Sequence, residues 1–160
     1  MSPLPRAHIF YSWQSDAPSR TNRNFIESAL NTALKKLQRE GDPDVEPALD
    51  RDTQNTAGTP DIALTIFNKI DQSEVFVCDA SIINRQAIDE FGARPTPNPN
   101  VLIELGYAAK SLGWDRIIVI VNTALGKLEE LPFDIRTRRL LAYSLADEKP
   151  ADARNALTDK

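Results

Sequence analysis

Glu74-Val75-Phe76-Val77-Cys78 is a nearly continuous apolar run, and its reading decides the fold class. A strand with one wet face alternates apolar and polar residues. A run without alternation belongs to a strand covered on both faces, as in a parallel sheet between helical layers. Arg116-Ile117-Ile118-Val119-Ile120-Val121 carries the same pattern more strongly. Around these two runs the chain alternates between strand and helix signals. Residues 7–12 are aromatic and β-branched and read as a first strand. Residues 21–39 place Phe25, Ala29, Leu30, Ala33, Leu34 and Leu37 at helical spacing, and Gly41-Asp42-Pro43 stops that helix. Residues 45–49 are a weak strand whose Pro47 suits a sheet edge. Residues 61–70 carry Ile62, Ile66 and Ile70 on one helical stripe. Residues 99–112 read as a helix and 139–143 as a last strand. Residues 51–60, 80–97 (with room for a helical turn) and 126–134 read as loops. This alternation predicts an α/β fold, a flavodoxin-like doubly wound sheet of about five parallel strands flanked by helices. Ligands in such sheets bind beyond the carboxyl ends of the strands, which points to residues 12–22, 51–60, 79–100 and 122–134.

Composition narrows the chemistry. The 160 residues hold 19 Lys plus Arg against 23 Asp plus Glu, a net charge of −4, with one Cys, one His and one Met. No disulfide can form within the chain, and a Cys-and-His zinc site cannot be built from one of each. A Ser–His or Cys–His pair would have to use His8 or Cys78, and Cys78 lies in an apolar strand where core packing is its simplest role. The sequence pI of about 5.0 argues against a nucleic-acid binder, because the densest basic cluster is Arg136, Arg138 and Arg139. No apolar run approaches the roughly 20 residues that span a membrane, and the first residues lack the pattern of a secretory signal. A soluble, cytoplasmic protein without a metal is expected. Phosphate-cradling and dinucleotide glycine motifs are absent, as is a nucleophile elbow.

The stretch richest in chemistry is Asn98-Pro99-Asn100-Val101-Leu102-Ile103-Glu104-Leu105-Gly106-Tyr107-Ala108-Ala109. Asn98 suits an N-cap and Pro99 the first helical position. From Val101 to Ala109 the helix is apolar on nearly every face, which predicts wide burial, yet Glu104 sits in its middle. Asn100 at i−4 and Tyr107 at i+3 share its stripe. A carboxylate among apolar neighbours is paired, protonated or functional. The structural alternative is a salt bridge, for instance to Arg136; the functional one is a carboxylate lining a crevice at the strand ends.

This helix resembles the one that carries the glutamate of bacterial Toll/interleukin-1 receptor (TIR) domains. More narrowly, it resembles the nucleotide-binding TIR-like domains of anti-phage effectors, which are often fused to a sensor of cyclic nucleotides. Ile9-Phe10-Tyr11-Ser12-Trp13-Gln14-Ser15-Asp16 resembles their first strand and loop. Asp52-Thr53-Gln54, Gly58-Thr59-Pro60-Asp61-Ile62-Ala63 and Val75-Phe76-Val77-Cys78-Asp79 resemble their middle segments, and Leu131-Pro132-Phe133-Asp134-Ile135-Arg136 their closing motif. The resemblance covers residues 8–143. It implies a TIR-like domain over 1–145, with 146–160 a linker or the start of a helix leading to a C-terminal cyclic-nucleotide sensor domain. It also implies self-association through TIR–TIR contacts and hydrolysis of NAD to nicotinamide and ADP-ribose, or a cyclised form, with NAD as substrate and no cofactor. The catalytic role carries to Glu104. The helix pattern is similar as well to nucleoside deoxyribosyltransferases, which also break an N-glycosidic bond.

The remaining site candidates are Ser12, Trp13 and Asp16 after the first strand, Arg20 (or Arg23) for a diphosphate, Asp79 at the end of the third strand, and Asn100 and Tyr107 beside Glu104. Each has a plainer role. Trp13 is equally an edge-of-core aromatic, the arginines equally solvated, and Asp79 equally the cap of the turn that follows it. Asp134 and Arg136 read as a structural pair. A non-enzymatic interaction module needs no carboxylate at position 104. A phosphoacceptor role for Asp79 would need an acidic pair after the first strand, where Ser12-Trp13-Gln14 stands.

Overall fold

The computed structural model describes residues 6–41, 46–51 and 61–146. Five strands, β1 (Arg6–Ser12), β2 (Glu46–Asp50), β3 (Val75–Asp79), β4 (Ile117–Asn122) and β5 (Leu140–Tyr143), form one sheet in the order β2-β1-β3-β4-β5. Every pairing is parallel. The doubly wound α/β fold predicted from the sequence is therefore what the chain adopts. Pro47 lies in β2 at the sheet edge, the position in a sheet that best tolerates a missing N–H.

Helices α1 (Arg23–Glu40), α2 (Ile62–Asp71), α3 (Arg85–Phe91), α4 (Pro99–Ser111) and α5 (Phe133–Arg136) connect the strands. The two-residue period of the strands divides the core. Phe10, Phe76, Cys78, Val119 and Val121 face a layer containing Val101, Leu105 and Ala108 of α4. Ile9, Tyr11, Val77, Ile120 and Tyr143 face Phe25, Ile26 and Ala29 of α1. Both faces of β3 and β4 are thus covered, which is why their sequences lack alternation. The chain leaves β1 for β2 on one side and returns to β3 on the other. The carboxyl ends of β1 and β3 therefore flank the switch point where such sheets hold ligands.

Two expectations are corrected and a third is extended. The helical turn allowed for within residues 80–97 is a seven-residue helix, α3, ended by Gly92 at φ 63°. The predicted loop over 126–134 holds a 3-10 turn, Leu128–Glu130, and the start of α5. Helices this short carry too few turns to show a period. The wide burial expected of α4 is replaced by a one-sided arrangement. Val101, Leu105 and Ala108 are buried, whereas Ile103 is 60% exposed. An apolar composition does not show which helix face has a partner, and only one face of α4 lies on the sheet. The motifs at 52–54 and 58–60 and the tail over 147–160 lie outside the described residues. Among the described residues no helix is long and apolar enough to cross a membrane.

Candidate functional site

The alternation that sends Phe10 into the α4 layer sends Ser12 the same way, because side chains two apart share a strand face. Ser12 is buried, and its hydroxyl donates to Glu104 Oε2 at 2.5 Å. Glu104 is held from the other direction by the start of α4. Asn98 Oδ1 accepts from the backbone N–H of Asn100 at 2.8 Å and of Val101 at 3.3 Å, the N-cap that the sequence predicts. Asn98 Nδ2 in turn donates to Asp16 Oδ2 at 2.6 Å, which docks the helix start onto the loop after β1. Asn98→Ala removes cap and dock together and is expected to destabilise the fold by about 1–2 kcal/mol in urea unfolding. A change under about 0.3 kcal/mol would show that this cap carries no weight.

Glu104 stands at the junction of two lobes of a cleft. One lobe, of about 260 Å³, is polar at the strand end, with Ser12, Trp13, Gln14, Ser15, Asn98 and Asn100. The other, of about 320 Å³, runs between α2 and α4 and is lined mainly by Ile62, Ala63, Ile66, Phe67 and Ile103. Glu104, Asn100, Ile62 and Ile66 belong to both. Among the described lining residues Glu104 is the one carboxylate. It is half-buried rather than sealed in the core. The alternative partner Arg136 is elsewhere: its guanidinium donates to the Glu129 carbonyl at 3.1 Å and lies 5.5 Å from the Phe133 ring. The expected Asp134–Arg136 pair is likewise not among the ion pairs of the described residues.

The other predicted site residues divide. Ser12, Trp13 and Asn100 line the cleft. Asp16 stands beside it, holding Asn98. One face of Trp13 is taken by Arg23, whose guanidinium carbon lies 3.6 Å from the ring centroid, so stacking on a base is left to the opposite face. Arg20 is exposed on the turn before α1 and lines neither lobe. Tyr107 is turned away as well. Its hydroxyl donates to Asp71 at 2.7 Å, which raises its pKa, and its ring stacks on Phe67 at 4.3 Å. It fastens α4 to α2 and does not orient Glu104.

Asp79 is fully buried and points into a polar network beneath the cleft. Its Oδ1 accepts from the Ser81 N–H at 3.0 Å and the Ser81 hydroxyl at 2.6 Å. Its Oδ2 accepts from Asn22 at 2.9 Å and Gln14 at 3.2 Å. The turn-capping role is thus the one it fills, and with its oxygens occupied and no exposure it is not placed as a phosphoacceptor. Asn122 extends the network, donating to Asn22 Oδ1 at 3.1 Å and accepting from the N–H of Leu145 at 3.0 Å. Burial first, then the Asp79 charge, pushes the Tyr11 phenol and the Cys78 thiol well above their usual ranges. Cys78 is therefore a core residue and not a nucleophile. Gln14, Asn22, Ser81 and Asn122 escaped the sequence reading. Their shared signal is a polar residue at or just beyond the end of an apolar strand, or just before a helix. No cluster of three potential metal ligands occurs among the described residues.

No family model matches the chain, and no curated protein does. Among solved structures, a 2-desoxiribosyltransferase from Leishmania mexicana is 20% identical with a TM-score of 0.41, covering 72% of this chain and 65% of that one. The chain thus spans 65% of that protein's length. A conserved protein from Enterococcus faecalis is 12% identical with a TM-score of 0.47, covering 96% of this chain and 98% of that one. The TIR domains of the activated Roq1 resistosome are 12% identical with a TM-score of 0.41, covering 96% and 82%. Likenesses at this level carry no information about activity, which rests on the site.

Proposed function

We propose that the chain is an NAD glycohydrolase in which Glu104 is the catalytic group. The observation that carries this reading is the Glu104 carboxylate at the meeting of a mixed lobe, polar at the strand end, and an apolar one, gripped by the Ser12 hydroxyl. Cleaving NAD breaks the C–N bond between ribose and nicotinamide. The electron pair goes to the pyridinium nitrogen, so nicotinamide departs neutral and needs no general acid. What the site must supply is negative charge beside the oxocarbenium carbon, and a fixed carboxylate supplies it. Water then adds to that carbon, releasing a proton and giving ADP-ribose; attack by another group of the same product gives a cyclised form. Two-carboxylate glycosidases need an acid for a poor leaving oxygen. A cleft with one carboxylate among its described lining residues suits a leaving group that is already cationic.

The apolar lobe beside Glu104 supports a second reading, in which an incoming base accepts the sugar as in deoxyribosyl transfer. On the first reading NAD is consumed as substrate, with no resident cofactor or metal. Assembly of several copies, control by a C-terminal cyclic-nucleotide sensor domain to which residues 146–160 lead, a cytoplasmic setting and NAD depletion in anti-phage defence are further parts of the proposal, supported by the sequence resemblance alone. The test is to incubate concentrated protein, with assembly followed by light scattering, with NAD and separately with a deoxynucleoside plus a second base. Nicotinamide release without base transfer is expected. Base transfer without NAD turnover would favour the second reading, and neither product from assembled protein would leave an interaction module.

A further inference from the structure

We propose that Gln14 is a positioning residue that sets the helix bearing Glu104, acting through the loop after β1. The proposal rests on the reading of Glu104 as the catalytic group. Gln14 is 2% exposed, and its amide orientation follows from its neighbours. Nε2 faces the Asp79 carboxylate at 3.2 Å, which only accepts. Oε1 faces the N–H groups of Asp16 at 2.6 Å and Ala17 at 2.9 Å, which only donate. A flipped amide would set oxygen against carboxylate and N–H against N–H, so one orientation is allowed. The side-chain carbonyl thereby folds residues 14–17 into a turn, and the buried Asp79 anchors that turn to the end of β3.

The turn determines where Asp16 stands, and Asp16 Oδ2 takes the Asn98 amide that caps α4. The path therefore runs from Asp79 through Gln14, Asp16 and Asn98 to the first turn of α4. Two residues before Gln14, Ser12 holds Glu104 itself. The end of β1 thus grips α4 at two points roughly 9 Å apart along the helix axis, at about 1.5 Å per residue. The core contacts of Val101, Leu105 and Ala108 seat the middle of the helix, and Ser12 holds the carboxylate. The grip at Asn98 adds the placement of the first turn, and with it the fine setting of Glu104 over the cleft. Displacement of a reacting group by about 1 Å can cost on the order of 100-fold in rate. Asp79 keeps its bonds from Asn22 and Ser81 without Gln14, so the network around the carboxylate stays in place.

Gln14→Met fills the same space without hydrogen bonds, and Asp16→Ala cuts the path one step later at an exposed position. Each is expected to lower kcat for nicotinamide release about 10- to 100-fold while KM stays within about threefold. The double variant should be no slower than the worse single one, because both break the same path. Multiplicative losses, or a loss confined to KM, would overturn the proposal. An independent readout is amide hydrogen exchange. Gln14→Met should speed exchange at Asn100 and Val101 as well as at Asp16 and Ala17. Protection at Asn100 and Val101 equal to wild type would overturn it whether or not NAD is the substrate. If the wild-type protein releases no nicotinamide, the reading of function fails and the exchange data alone decide the positioning role.

Discussion

Glu104→Gln is expected to lower nicotinamide release about 100- to 1000-fold while leaving the fold in place. Glutamine matches glutamate in shape and can still accept the Ser12 hydroxyl through its carbonyl oxygen, so the contact seen at 2.5 Å is retained. What disappears is the negative charge beside the carbon that becomes an oxocarbenium ion. Removing a single fixed dipole from a developing charge costs about 100- to 1000-fold in well-studied enzymes, and a full charge in a half-buried cleft is worth at least as much. The loss should fall on kcat, because the charge is needed in the transition state more than in the bound substrate. Ser12→Ala is the graded companion. It keeps the carboxylate but frees its orientation, and about a tenfold loss is expected. Steady-state rates of nicotinamide release check both. If Glu104→Gln retains a tenth of wild-type activity at unchanged stability, the carboxylate is not the catalytic group.

The parts of this architecture that the sequence displays are those with a period. The runs at β3 and β4 announce a parallel sheet because burial on both faces abolishes alternation, and the two strands lie side by side in the interior of the sheet. The cap at Asn98 and the carboxylate at Glu104 are equally legible, the first from local turn chemistry and the second from a charge out of keeping with its neighbours. Long-range partnership is what a linear reading lacks. Tyr107 lies one turn from Glu104 in sequence, yet α2 supplies Asp71 and Phe67 and draws it to the other helix. Arg23 reads as a solvated or phosphate-seeking side chain until Trp13 is found beneath it. Gln14 and Asn122 look like ordinary loop and strand-end residues; only the convergence of β1, β3 and β4 makes them members of one network. Asp79 illustrates the limit best. Its position at a strand end is readable, but whether it faces the cleft or the interior is decided by Asn22, 57 positions away in the chain.

Asp79→Ala is expected to destabilise the domain by about 3–5 kcal/mol, within what two or more buried donors left without an acceptor cost. The reason lies in the donors left behind. The Gln14 amide and the Ser81 N–H both point at Asp79 in a region with no exposure, and each buried donor without a partner costs about 1–3 kcal/mol. Asn22 loses less, since its amide also reaches the Ser81 hydroxyl at 3.1 Å. Domains of this size are stable by only about 5–15 kcal/mol, so much of the margin would go, and the melting temperature should fall by roughly 10 °C. Asp79→Asn tests the argument more finely. Its carbonyl oxygen can take the place of Oδ1 and serve Ser81, but its NH₂ then faces the amide donors of Gln14 and Asn22. A loss of about 2–3 kcal/mol is expected, because donor against donor is nearly as poor as an empty position. Urea unfolding with an unchanged slope reads both values. If instead Asp79→Asn were as stable as wild type, the network would be tolerant of its central acceptor. The strand ends would then be held by packing alone, and the turn that positions Asp16 and Asn98 would need another anchor.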